Sequence, residues 1–126
     1  MPSMYDRELV VEDLRHIVWS LDQIEKRFAA ISSSSYFIKN DTGLEKLDII
    51  CMQLIAIGET LKHIDKLSAG SLLTSYPEID WKKAMGIRDI ITHHYFDIDS
   101  ETIYTVCAEH LPAMKISIAQ IIKDLQ

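Results

Sequence analysis

The sequence predicts an all-α fold: an up-and-down bundle of four to five helices, expected to pair as a homodimer. Three observations predict it. Apolar residues recur at steps of three and four along separate stretches of the chain. No stretch alternates apolar and polar residues as a half-buried strand does. The 126 residues include only four Gly and three Pro, too few for the turns of an all-β fold. The length suits one domain, residues 1–126, with one core.

The first helix is expected over residues 6–30, where Val10, Leu14, Ile17, Val18, Leu21, Ile24 and Phe28 keep the helical step. Serines 32–35 end it, because serine competes with the helix for backbone hydrogen bonds. Thr42-Gly-Leu-Glu45 fits a capping box that opens a second helix, with Thr42 as N-cap. Its stripe runs through Leu47, Ile50, Cys51, Leu54, Ile57, Leu61 and Ile64. Residues 67–79 carry Gly, Ser and Pro and break the period as a long connection. Asp80 can cap a third helix that opens WKKAMGIRDII. Its pattern fades around residues 93–97. Asp99 or Ser100 can cap the last helix, which carries Ile103, Val106, Cys107, Leu111, Met114, Ile118, Ile121 and Leu125. Pro112 lies inside it and should bend it. Trp19, Tyr5 and Ile116 fall off the main stripes, and this surplus of apolar surface is the reason to expect a dimer.

Composition narrows the function. Hydrophobic residues make up 48% and charged residues 25% of the chain, an ordinary globular mix. The formal net charge is −6, and this argues against a broad basic face for nucleic acid. Any contact with RNA would use a local site, or a positive stripe shared between subunits. Cys51 and Cys107 lie in apolar helical patterns without Cys-x-x-Cys spacing, and read as core residues of a reducing cytosol. The acidic N-terminus has no secretory pattern, and no apolar run is long enough to span a membrane. A cytoplasmic location is expected.

IRDIITHHYFDID, residues 87–99, departs from plain amphipathic order. Arg88 and Tyr95 are seven apart and share a helical face, whereas His93 lies about 140° round from Arg88 in an ideal helix. Joining Arg88 to His93 requires the helix to loosen or end near His93, or a second copy of the chain. The residue types suit RNA cleavage by attack of the 2′-hydroxyl on the neighbouring phosphate. Histidine is the natural general acid or base near neutrality. Arginine offers a planar fork of donors to the charged transition state. Tyrosine can position a phosphate or stack on a base. The same arginine and histidines also suit a helix C-terminus, where cations answer the helix dipole. Tyr95 and Phe96 could equally plug the end of the bundle.

Arg88-Asp-Ile-Ile-Thr-His93-His-Tyr95 resembles the Arg-x4-His-x-Tyr motif of HepT-like proteins, a branch of the HEPN superfamily. Asp89 matches the polar residue usual after that arginine. Ile57-Gly58-Glu59 in the second helix, Pro77-Glu-Ile-Asp-Trp81 before the motif helix, and Leu111-Pro112 in the last helix match further elements in the family's order. The resemblance runs from about residue 10 to the C-terminus. It implies a dimeric toxin of a HEPN/MNT toxin–antitoxin pair that acts as a metal-independent RNA endonuclease. Arg88 and His93 would carry cleavage in a cleft shared by both subunits. Tyr95 would contact RNA and accept AMP from a minimal nucleotidyltransferase antitoxin. No cofactor or metal is implied. The rival reading is a non-catalytic helical subunit that docks a nucleotidyltransferase and presents Tyr95 to it.

Smaller features carry two readings each. His94 is a neighbour of His93 rather than the catalyst, because the motif spacing selects His93. Adjacent helical histidines point apart and make a poor metal pair. His16, His63 and His110 read as surface residues. Asp89 could orient Arg88 or His93, or stay solvated. Glu59 could reach the motif helix or sit on the surface. Gly58 and Gly86, each unfavourable inside a helix by about 1 kcal/mol against Ala, would let two helices approach closely. Trp81 reads as a packing anchor.

Overall fold

The computed structural model describes residues 5–126, except for the side chain of Tyr95. Among these residues the regular structure is helical throughout and no strand occurs, as the periodicity predicts.

Helix α1 (Arg7–Phe28) opens at Asp6, whose carboxylate accepts from the Leu9 N–H at 3.1 Å. An aspartate cap of this kind satisfies one of the free amides of the first turn. The predicted stripe is the buried one: Val10, Leu14, Ile17, Leu21 and Ile24 face the core. The helix ends at Phe28, before residue 30. The serines that follow do more than stop it, because Ser33 is the extended entry to a 3-10 turn, Ser34–Ile38. That turn drives Phe37 into the core with no exposed surface.

Helix α2 (Asp41–Leu67) corrects the expected capping box. Asn40 is the N-cap, and its side chain accepts from the Gly43 N–H at 2.9 Å. Thr42 lies inside the first turn. Asparagine caps at least as well as threonine, and the earlier start seats Gly43 against the preceding turn. A methyl group on Gly43 would fall 2.1 Å from the Tyr36 carbonyl oxygen, so only glycine fits there.

The connection after α2 holds a short helix, α3 (Ser71–Thr74), entered through Ala69 and Gly70 at φ of 51° and 76°. Leu72 and Leu73 from it are buried. Asp80 caps α4 (Trp81–His93) as predicted, accepting from the Lys83 N–H at 3.0 Å. Trp81 is buried and its indole N–H donates to the Tyr76 carbonyl at 2.8 Å. It anchors the start of the motif helix, as its position suggested.

The expected bent final helix is three segments: α5 (Ser100–Thr105), capped by Asp99, a π-helical stretch Val106–His110, and α6 (Leu111–Leu125). Pro112 explains the arrangement. It has no N–H to give and its ring crowds the preceding turn. The chain widens just before it, where the Leu111 N–H reaches back to the Val106 carbonyl, and proline then sits in the first turn of α6, where a missing donor is harmless.

Helix α1 packs on α2 and α6, and α4 lies against α2. Trp19 and Ile116 are exposed as expected, whereas Tyr5 instead packs against the core. His16, His63 and His110 are exposed, and the His63 ring pairs with Asp13 across α1 and α2. Among the described residues no helix is long and apolar enough to cross a membrane.

Candidate functional site at the crossing of α2 and α4

Helix α4 buries Trp81 and Ile91 fully and leaves much of its remaining surface in contact with solvent. It therefore presents polar side chains while resting on α2. The contact is closest at Gly58. A methyl group on Gly58 would meet the Arg88 Cβ at 3.1 Å and the Met85 carbonyl oxygen at 3.3 Å. The close approach expected of this glycine is present, and it falls at the motif arginine. The same expectation fails for Gly86, where a methyl group would meet nothing within 4 Å.

The approach at Gly58 brings the next residue of α2 under Arg88. Glu59 Oε1 lies 2.8 Å from Arg88 Nε. That Nε atom is covered from solvent, yet it is not aligned on the carboxylate as a hydrogen bond. The contact is thus an ion pair. Arg88 also donates from Nη1 to Asp89 Oδ1 at 2.9 Å. Lys62, one turn beyond Gly58, stands 3.8 Å from the other oxygen of Asp89. Glu59, Arg88, Asp89 and Lys62 therefore form one chain of alternating charge across the two helices. Its hydrogen bond to Asp89 and the nearby Glu59 carboxylate hold the Arg88 guanidinium still more firmly protonated. Arg88 in turn, followed by Lys62 and then His93, holds the Asp89 carboxyl below the usual carboxylate range. The Arg88 side chain keeps 38% of its surface exposed, so it is held without being buried.

The sequence left Glu59 and Asp89 each with two readings. Both are surface residues and both touch Arg88, so reach and solvation coexist. Lys62 was missed. Its signal was its place four residues after Gly58, on the side of α2 that meets α4.

His93 is the last residue of α4 and His94 its C-cap; both are exposed. The helix stays regular as far as His93, so Arg88 and His93 remain about 140° apart around its axis. Of the two expected routes within one chain, the helix does not loosen before His93 but does end there. The backbone then turns through a 3-10 segment, Tyr95–Asp97, which leaves Phe96 almost wholly exposed at 96%. Phe96 thus does not plug the bundle's end. The role expected of Tyr95 concerns a side chain outside the described residues. Among those residues no group of three or more His, Cys, Asp or Glu side chains could hold a metal ion. A surface hollow of about 530 Å³ is lined by residues at the start of α1 and the end of α6, among them Arg7, Glu12 and Arg15, and by no motif residue.

The family model described as "Ribonuclease HepT-like" matches residues 17–121. The chain belongs to the HepT-like family. That match encloses Gly58, Glu59, Lys62 and the whole 88–95 motif. The HepT-like chain is 32% identical over 87 residues to "Putative RNase MJ0125" of Methanocaldococcus jannaschii, covering 69% of this chain and 70% of the relative. It is 30% identical over 87 residues to "Putative RNase MJ1216" of the same organism, covering 69% of this chain and 67% of the relative. It is 24% identical over 110 residues to "Putative RNase TTE0752" of Caldanaerobacter subterraneus, covering 87% of this chain and 91% of the relative. No solved structure matches.

Proposed function

We propose that this HepT-like chain is a metal-independent RNA endonuclease, the toxin of a toxin–antitoxin pair, and that it works as a homodimer. The observation that carries this reading is Arg88 of the Arg-x4-His-x-Tyr motif. It is an exposed guanidinium fixed from behind by two carboxylates, in a family of ribonucleases whose sampled relatives are named as putative RNases.

Arg88 offers its exposed donors to the scissile phosphate and stabilises the charge that builds on it. The 2′-oxygen forms a bond to phosphorus as the bond to the 5′-oxygen breaks. A histidine takes the 2′ proton, and another group returns a proton to the leaving oxygen. The products are a 2′,3′-cyclic phosphate and a 5′-hydroxyl. His93 has the acid–base chemistry for this. Its separation from Arg88 around α4 favours a cleft in which the arginine of one copy meets the histidine of the other. The exposed Ile90 and Phe96 supply apolar surface beside the motif for such a contact. Tyr95 contacts RNA in the free toxin. A partner minimal nucleotidyltransferase transfers AMP from ATP to its phenolic oxygen, releasing pyrophosphate. The added phosphodiester repels RNA and competes for Arg88.

The test is cleavage of purified RNA in the presence of a chelator, with parent, Arg88→Ala and His93→Ala proteins, alongside the intact mass of the chain made with and without the neighbouring nucleotidyltransferase. Cyclic-phosphate ends from the parent alone are expected, with AMP on Tyr95 only when the partner is present. Cutting by His93→Ala at the parental rate would refute the assignment. Intact RNA with an adenylylated Tyr95 would make the chain the docking subunit instead.

A further inference from the structure

Arginine can grip a phosphate by its side edge, Nε with one Nη, or by its end, Nη1 with Nη2. At Arg88 the side edge is closed. Nε has no exposed surface and faces the Glu59 carboxylate at 2.8 Å. One hydrogen of Nη1 goes to Asp89. The donors left to the end of the fork are Nη2 and the second hydrogen of Nη1, on a side chain that keeps 38% of its surface exposed. Glu59 is placed there by its helix: a methyl group on Gly58 would lie only 3.1 Å from the Arg88 Cβ, so glycine lets α2 come close, and the adjacent residue then reaches Nε. A covered N–H without an aligned partner is unfavourable in itself, and the carboxylate beside it offsets that.

We infer that Glu59 is a positioning residue: it holds Arg88 by Nε so that the arginine presents its terminal nitrogens to an RNA phosphate. This rests on the ribonuclease reading above for its consequence, but not for its geometry. Asp89 steadies the same guanidinium from α4, and Lys62 balances Asp89 from α2, so the three surrounding groups carry one net negative charge, which the Arg88 cation neutralises. The alternative is competition, in which Glu59 blocks Arg88 until RNA displaces it. The two predict opposite effects of removing the carboxylate.

The experiment uses the full chain and Glu59→Gln, with Glu59→Asp as the charge-conserving variant. In the parent, the Arg88 Nε–H resonance, assigned by its loss in Arg88→Lys, should be resolved and slow to exchange. In Glu59→Gln it should shift and exchange faster, with the thermal midpoint little changed because Glu59 is a surface residue. On RNA, kcat should fall about 10- to 100-fold, the scale of a displaced catalytic group. KM should change little, the mark of an interaction used in the transition state. Glu59→Asp should recover part of the loss. An unchanged Arg88 resonance in Glu59→Gln would overturn the inference, as would a raised kcat or a lowered KM, which would mean competition. If the parent cuts no RNA, the ribonuclease reading fails by itself, and the Arg88 resonance still decides whether Glu59 holds the arginine.

Discussion

Gly58 of α2 and Arg88 of α4 stand so close that a single methyl group on the glycine would lie 3.1 Å from the arginine Cβ. This contact sets the distance between the two helices at the motif, and so decides which carboxylate reaches Arg88.

A large side chain at position 58 must push the helices apart. Gly58→Leu should lower the thermal midpoint by the equivalent of about 1–3 kcal/mol of overpacking. Gly86→Leu is the control, because nothing lies within 4 Å of an added methyl group there. It should leave the midpoint unchanged or raise it, since glycine is about 1 kcal/mol less favourable than alanine in a helix. Thermal melts of the two variants side by side check this, and equal losses in both would contradict the packing described.

The link between the connection after α3 and the end of α6 should set a pH window. The Tyr76 hydroxyl donates to Asp124 Oδ2 at 2.5 Å. Burial first, then the Asp124 hydrogen bond, pushes the phenol up from 10.0 to about 12. The same hydrogen bond, with help from Gln120, lowers the Asp124 carboxyl from its ordinary 3.8. The Asp124 contribution is thus present above pH 3.8 and lost as pH falls below it. The Tyr76 contribution is present below pH 10.0 and lost as pH rises toward 12. Tyr76→Phe should melt below the parent between these limits, and the difference should close outside them. Melting curves from pH 3 to 11 would show a constant difference if the link contributed nothing pH-dependent.

The two thiols should be inert in the folded protein. Burial pushes Cys51 up to about 11 and Cys107 up to about 12, and the thiolate is the reactive species. Alkylation at pH 8 should leave both unmodified in native buffer and label both in denaturant. Rapid native labelling of Cys107 would mean that the π-helical stretch opens readily.

Much of the fold was legible because helices are local. The stripes of α1 and α2 name their own buried faces, and Asp80 and Asp99 mark helix starts through side-chain contacts three or fewer residues away. Two local features were misread for a physical reason. Thr42 and Asn40 are both competent caps, and what selects Asn40 is the seat of Gly43 against Tyr36, a contact with the preceding turn. Pro112 announced a distortion but not its form. A bend and a π-helical widening both accommodate the ring.

The sequence by itself determined the helical class, the cap at Asp80, a last helix starting at Asp99 or Ser100, and an arginine and a histidine at a spacing that divides them around one helix. Only the tertiary structure decided how Arg88 is held. Glu59 and Lys62 lie 29 and 26 residues before Arg88, and nothing in local periodicity tells which side chains two helices bring together. That depends on their separation and rotation at the crossing, and Gly58 sets the separation.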